Sequence, residues 1–355
     1  LMPADVMEKL LRLADEGATI VFLEQYPEDV PGLNDLGQRR AEFNKALAQI
    51  KEREGKGHVL FGTDYARTLA ATATVPEEMK TAFGLSSIRR SHSEGYHYFI
   101  SALKTEDTES WIPLAVQARS AMLYNPMNGT SGKARLRQNN GRTEVFLQLA
   151  SGESIILKTF TDHDVAVPEY GYWTSMPQDE AAKILPGACS FAGKWGFSFV
   201  EAMPVVSNVP DSVSLGSWTE IAAEGVKNTM AVCYTTTFTL KTPAEAGEWM
   251  LDLGDVRESA RVRINGQEVA TLIAVPYRCL VGKYLRPGVN TLEVEVTNLP
   301  ANRIADMDRR NVPWRIYKDA NIVNIHYKKD IYGKWESVPS GLLGPVRLIP
   351  MQSIK

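Results

Sequence analysis

Side chains able to do chemistry fall in four places in this 355-residue sequence. Asp162, His163 and Asp164 stand together in "TDHDV", three metal-capable groups in a row. Neighbours in an extended chain point to alternate sides and do not converge on one ion, so a solvated loop is the better reading. His92 and His97 flank a Ser-Glu-Gly turn, which an ordinary hairpin explains as well as a ligand site does. Glu24 and Asp64 follow the apolar runs "ATIVFL" and "HVLFG", where parallel strands end and α/β domains gather ligands. Two facing carboxylates can protonate a leaving oxygen and activate a nucleophile. Helix capping competes with that role and is favoured over it, because "GTDYARTL" offers Thr63 or Asp64 as an N-cap. The fourth group is aromatic: Trp218, Tyr277, Trp314, Tyr317, Tyr332 and Trp335 lie in or beside turns near the C-terminus. Flat rings there either stack on a sugar face or pack among themselves.

Other chemistries lack their residues. The sequence holds no G-x-x-x-x-G-K-[ST], no G-x-G-x-x-G after a strand, and no nucleophile elbow after either apolar run. Cys189, Cys233 and Cys279 are far apart, which favours buried free thiols over a zinc site or a redox pair. No cofactor or metal is expected. A net charge of -3 gives no reason to expect nucleic acid, and no run approaches the ~18 apolar residues of a membrane span.

The elements that must position these residues change character along the chain. Residues 3–16 carry Val6, Leu10, Leu13 and Ala14 at helical spacing and stop at Gly17, and a second helix is expected over 37–53. With strands at 18–23 and 58–62 this makes a parallel α/β segment, and its opening on a helix suggests an upstream region. From residue 88 the pattern is β only. Runs such as "YHYFISALK", "WIPLAVQAR", "TEVFLQL" and "SIILKTF" predict an antiparallel sandwich, and 161–186 reads as an aperiodic loop. Further strands follow from 187. In "NTLEVEVTN" Leu292, Val294 and Val296 alternate with Thr291, Glu293, Glu295 and Thr297. Asn265-Gly266 predicts a type I′ hairpin, and Pro287-Gly288 a turn into the last core strand. The expected fold is mostly β with an N-terminal α/β segment, divided as 1–87, a sandwich and loop at 88–186, and a jelly roll at 187–355.

The wording of the third part resembles a known module. "SWTE", "YTTTFTL", "LDLGDVRESARVRINGQEVATLIAVPYRCLVGKYLRPGVNTLEVEVTNLPANR" and "SGLLGPVRL" are similar to the galactose-binding-like jelly roll of family 2 and related glycoside hydrolases. "IRRSHSEGYHYFISAL" and the segment running from "AMLYNPMNGTSG" to "SIILKTF" resemble the β region of family 106 glycoside hydrolases, the α-L-rhamnosidase family. The resemblance implies a carbohydrate ligand, with Trp218, Tyr277, Asn302, Arg303 and Trp314 as contact candidates. In that family the catalytic glutamates and the metal lie in an N-terminal (β/α)8 barrel. No stretch here supplies eight βα units, so no catalytic residue carries over. The expectation is a non-catalytic region of a larger enzyme whose N-terminal catalytic domain is missing from this sequence, with a stand-alone lectin or an interdomain scaffold as alternatives. Export to the periplasm or beyond is implied by the same resemblance.

Overall fold

The first apolar patterns of the chain become α1 (Ala4–Asp15), β1 (Ile20–Leu23), α2 (Leu36–Glu52) and β2 (Val59–Gly62). The computed structural model describes all residues except 55–58, 65–66, 69–74, 76, 104–105, 185–189, 207–209, 222–226, 315–331 and 355. It divides the chain into two units, Leu1–Glu77 and Glu78–Lys355.

In the first unit β1 and β2 pair in parallel from Ile20↔Val59 to Leu23↔Gly62. Helix α2 buries Phe43, Ala46, Leu47 and Ile50, one face at i, i+3, i+4, i+7, against Met7, Phe22 and Val59. Helix α1 ends as its sequence predicts. Gly17 takes φ +98°, its N–H bonds to Ala14 O at 3.1 Å, and Ala18 N–H reaches Leu13 O at 2.8 Å, the paired bonds of a Schellman cap.

The second unit opens on α3 (Met79–Phe83), whose Met79 is completely buried in a β core together with Leu85. That core belongs to eight strands: β3 (Ser86–His92), β4 (Gly95–Ser101), β5 (Thr108–Pro113), β6 (Ser120–Tyr124), β7 (Ser131–Lys133), β8 (Leu136–Asn139), β9 (Arg142–Leu149) and β10 (Ser154–Phe160). A five-stranded sheet of order β3-β4-β10-β6-β7 and a three-stranded sheet β5-β9-β8 share Tyr98, Ile100, Leu123 and Leu157 from one side and Ile112, Val145 and Leu147 from the other. This is a sandwich. The expectation of an aperiodic loop at 161–186 is corrected: the stretch contains β11 (Trp173–Ser175) and α4 (Gln178–Ile184). The strand forms there because its backbone pairs with a distant partner, Trp173↔Ser353 to Ser175↔Met351, which local pattern does not report.

The rest is β12 (Trp195–Met203), β13 (Ser212–Val213), α5 (Trp218–Ile221), β14 (Thr229–Leu240), β15 (Glu248–Asp252), β16 (Asp255–Arg257), β17 (Ser259–Ile264), β18 (Gln267–Leu272), β19 (Arg278–Leu280), β20 (Gly288–Thr297), α6 (Ala301–Arg309), β21 (Gly341–Gly344) and β22 (Arg347–Ser353). A six-stranded sheet β13-β12-β14-β20-β17-β18 packs on the four-stranded sheet β11-β22-β15-β19 through Trp195, Tyr234, Val262 and Val294 facing Trp249, Leu251 and Leu348. The alternation of β20 holds, with Leu292, Val294 and Val296 buried and Glu295 outside between Arg261 and Arg263 at 3.2 and 3.5 Å. The predicted hairpin is realised: Ile264 pairs with Gln267 across Asn265 (φ +51°) and Gly266 (φ +78°), the left-handed pair of a type I′ turn.

The hairpin turn is tied to the turn before β20. Asn265 Nδ2 donates to Asn290 Oδ1 at 2.9 Å, and Asn290, 0% exposed, also accepts Arg286 N–H at 3.0 Å and donates to Arg286 O at 2.8 Å. Asn290→Ala strands these buried groups. It is expected to lower unfolding free energy by about 1–3 kcal/mol, read as a lower urea midpoint at unchanged slope.

One hairpin carries a charge-sensitive feature. The His92 and His97 rings lie 4.4 Å apart. Burial first, then His92, Lys158 and Arg90, hold His97 below its ordinary value. The folded state therefore favours neutral His97. Its contribution is present above the ordinary value of about 6.5 and is lost as pH falls below it, because the unfolded chain then binds more protons. The melting temperature should fall between pH of about 7 and 5, and His97→Gln should flatten that part of the profile.

Candidate functional site

Beyond the Thr297 end of β20 the chain turns through Asn298 and Pro300 into α6, and returns as the segment before β21. Buried polar side chains fix this path. Asn298 accepts Met230 N–H at 3.0 Å and donates to Asn228 O at 3.1 Å and Ser340 Oγ at 3.2 Å. Asn302 clamps the backbone of Val338 in both directions, each bond 2.9 Å. Ser217 Oγ accepts Ser340 N–H at 3.0 Å. Asparagine suits the first two places because one amide supplies both a donor and an acceptor.

On this base the C-terminal turn of α6 carries an aromatic cluster. Asp308 accepts Gly333 N–H at 2.8 Å with one oxygen and the Trp314 indole N–H at 3.5 Å with the other. Trp314 meets Tyr332 edge to face at 5.3 Å, and Tyr332 meets Trp335 the same way at 4.8 Å. Trp335 stays 45% exposed. On the other side of α6, two residues before Asp308, Asp306 is buried and receives Arg310 at 2.7 Å and Arg303 at 3.6 Å. An apolar ring face held beside the Asp308 carboxylate offers a sugar a surface for its C–H face and an acceptor for its hydroxyls.

The sequence candidates separate accordingly. Trp314 is in the cluster, whereas Arg303 pairs with Asp306 along α6. Three others are corrected. Trp218 is 2% exposed, in the core against Tyr234 and Leu342, and Tyr277 is 6% exposed with its hydroxyl donating to Glu258 O. Asn302 is 1% exposed and spends its amide on Val338, so none of these three presents a surface to a sugar. A position outside the alternating strands does not report burial, because Trp218 and Asn302 stand at the start of short helices that later segments of the chain cover. Asp308 was missed, and no local spacing marks it, because its partners Trp314 and Gly333 lie 6 and 25 residues further along the chain.

Glu24 and Asp64 follow paired strands, as expected, and Glu24 N–H bonds to Gly62 O at 3.3 Å. Both side chains are exposed. Asp64 Oδ1 accepts Arg67 N–H at 3.2 Å, the bond of an N-cap. In "TDHDV" the side chains take separate partners, Asp162 with His163 at 3.0 Å and Asp164 with Lys133 at 3.1 Å. His92 spends its two ring nitrogens on its own hairpin and the neighbouring strand, one on Glu94 N and one on Thr159 O, each at 3.2 Å. Cys233 and Cys279 are free and half-buried, and burial pushes the Cys279 thiol up to about 12. Cys189 and Tyr317 lie outside the described residues.

The clamp yields a test. Asn302→Ala should destabilise the jelly roll by about 1–3 kcal/mol, leaving the Val338 groups without their buried partner. Trp335 and Trp314 emission should shift toward that of exposed indole before global unfolding.

Comparisons with known proteins bear on this geometry. Residues 1–138 match the profile of glycosyl hydrolase family 106, alpha-L-rhamnosidase. Residues 219–336 match the profile described as glycosyl hydrolase 2 galactose-binding domain-like. A relative from Formosa agariphila named "Putative beta-glucuronidase" is 30% identical over 185 residues, 47% of this chain and 16% of that protein. The structure of a rhamnosidase from Novosphingobium sp. PP1Y superposes with a TM-score of 0.61 at 23% identity, covering 97% of this chain and 32% of that one. The chain therefore spans about a third of that structure, and on its mostly β fold residues 1–138 are similar to the family 106 α-L-rhamnosidase profile and residues 219–336 to the glycosyl hydrolase 2 galactose-binding-like profile.

Proposed function

We propose that this chain is a non-catalytic, carbohydrate-binding region of a glycoside hydrolase, completing the rim of an active site that another domain supplies. The observation that carries the reading is the joining of two glycoside-hydrolase segments, 1–138 and 219–336, in a chain that aligns over 97% of its length with only 32% of a rhamnosidase. The parent reaction, on this reading, is hydrolysis of terminal α-L-rhamnosyl linkages in plant-type glycans by an inverting pair of carboxylates. The aromatic cluster around Trp335 holds the glycan, and such a protein works in the periplasm or outside the cell.

The capping bond of Asp64 and the exposure of Glu24 favour structural over acid–base roles. The test has two arms. The chain should leave an aryl α-L-rhamnoside intact; hydrolysis that disappears in Glu24→Gln or Asp64→Asn would overturn the non-catalytic reading. Calorimetric titration with rhamnose-containing oligosaccharides should saturate, and Trp335→Ala should weaken it about tenfold. A flat trace across the panel sinks the binding role.

A further inference from the structure

The register of the central strands gives the jelly roll two poles. β14 and β20 pair from Ala231↔Thr297 at one end to Leu240↔Gly288 at the other. The aromatic cluster lies beyond Thr297. At the Leu240/Gly288 pole, the β14–β15 connection and the β19–β20 connection enclose a groove of about 610 Å³. Small-molecule sites measure ~300–1,000 Å³.

We propose that this groove is a second carbohydrate subsite, taking a neutral mono- or disaccharide portion of a glycan. The inference rests on the reading of the chain as carbohydrate-directed and assigns it a further site. Ala244, Leu285 and Pro287 give the groove apolar surface, and Lys241, Lys283 and Glu245 give it charge of both signs. An anion would select one sign and an apolar ligand neither. A sugar needs all three, an apolar surface for its C–H face, donors for its oxygens and acceptors for its hydroxyl protons.

The walls are held before any ligand arrives. Glu248 Oε1 accepts Trp249 N–H at 2.9 Å and Gly282 N–H at 2.6 Å, tying one wall to the other. A Cβ on Gly282 would stand 2.2 Å from Glu248 Oε1, so any other residue there shifts the carboxylate from this position. The buried Trp249 indole donates to Pro243 O at 2.8 Å, and the Lys283 ammonium rests 4.9 Å from the Tyr284 ring centre. Walls fixed in advance spare the ligand the cost of ordering them.

The test is a two-dimensional amide NMR titration of the whole chain with methyl α-L-rhamnoside and methyl β-D-galactoside, with methyl glucuronide in parallel. The exposed-site variants Lys241→Ala and Glu245→Gln are compared with Trp335→Ala, each first checked for an unchanged melting temperature. Expected are saturable shifts at the Trp249 and Gly282 amides with a neutral glycoside, weakened about tenfold in Lys241→Ala and Glu245→Gln and unchanged in Trp335→Ala. Groove amides that stay still, or move only with the glucuronide, overturn the inference. Signals around Trp335 are followed in the same spectra, so loss of the groove response alone removes the second subsite and leaves the aromatic cluster standing.

Discussion

The central pairing of β14 with β20 is closed at each end by a buried asparagine, and both candidate ligand surfaces depend on those closures. Along the strands the backbone satisfies itself from Ala231↔Thr297 to Leu240↔Gly288. At its ends the chain leaves the ladder inside the protein, where an unmatched N–H or C=O costs about 1–3 kcal/mol. Asn290 takes up the groups of Arg286 and Gly288 and bridges to Asn265 at one end. Asn298 takes up Met230, Asn228 and Ser340 at the other. Aspartate would lack the donor and leucine both functions, so the amide is what the geometry demands. The same two residues thereby fix where the groove and the aromatic cluster begin.

A second constraint joins the sandwich to the jelly roll. Strand β22 pairs with β15 in the jelly roll and with β11 at its outer edge. The chain then continues into Ile354, which packs on the sandwich core and bonds through its N–H to Tyr172 O at 3.0 Å and its C=O to Arg135 at 2.8 Å. Arg135 also lies over the Tyr172 ring at 4.9 Å. Gly152 sits so close to Val275 that a Cβ would come within 2.7 Å of the Val275 carbonyl oxygen. Two β modules joined by sheet continuity and backbone contact hold their loops at a set spacing. That suits a surface contributed to the rim of a larger site better than a module on a tether.

How much of this the sequence discloses depends on the range over which each feature is determined. The Schellman end at Gly17, the Asn265-Gly266 turn and the alternation of β20 are settled within a few residues, and local chemistry names them. Strand β11 owes its existence to Ser353, Gln352 and Met351, far away in sequence, and no local pattern announces it. Burial of Trp218, Tyr277 and Asn302 is equally non-local: each is amphipathic and lies in a connection or at the start of a short helix, and only the path of the 338–342 and 253–258 segments shows that they are covered. The sequence identified the aromatic group as one class, whereas the fold divides it into core and surface.

That division carries functional weight. The chain buries Trp195, Trp218 and Trp249 almost completely, so it has the means to enclose an indole. Trp335 remains 45% exposed, and a single exposed apolar residue is ordinary. What distinguishes it is orientation: its partner Tyr332 is held against Trp314, and Asp308 ties both the Gly333 backbone and the Trp314 indole to α6. A ring left outside the core with its neighbours fixed keeps close to half of its surface open. A flat ligand laid on that face supplies the missing contact at little further ordering cost, which is the physical basis for reading the cluster as a platform and Trp218 as core.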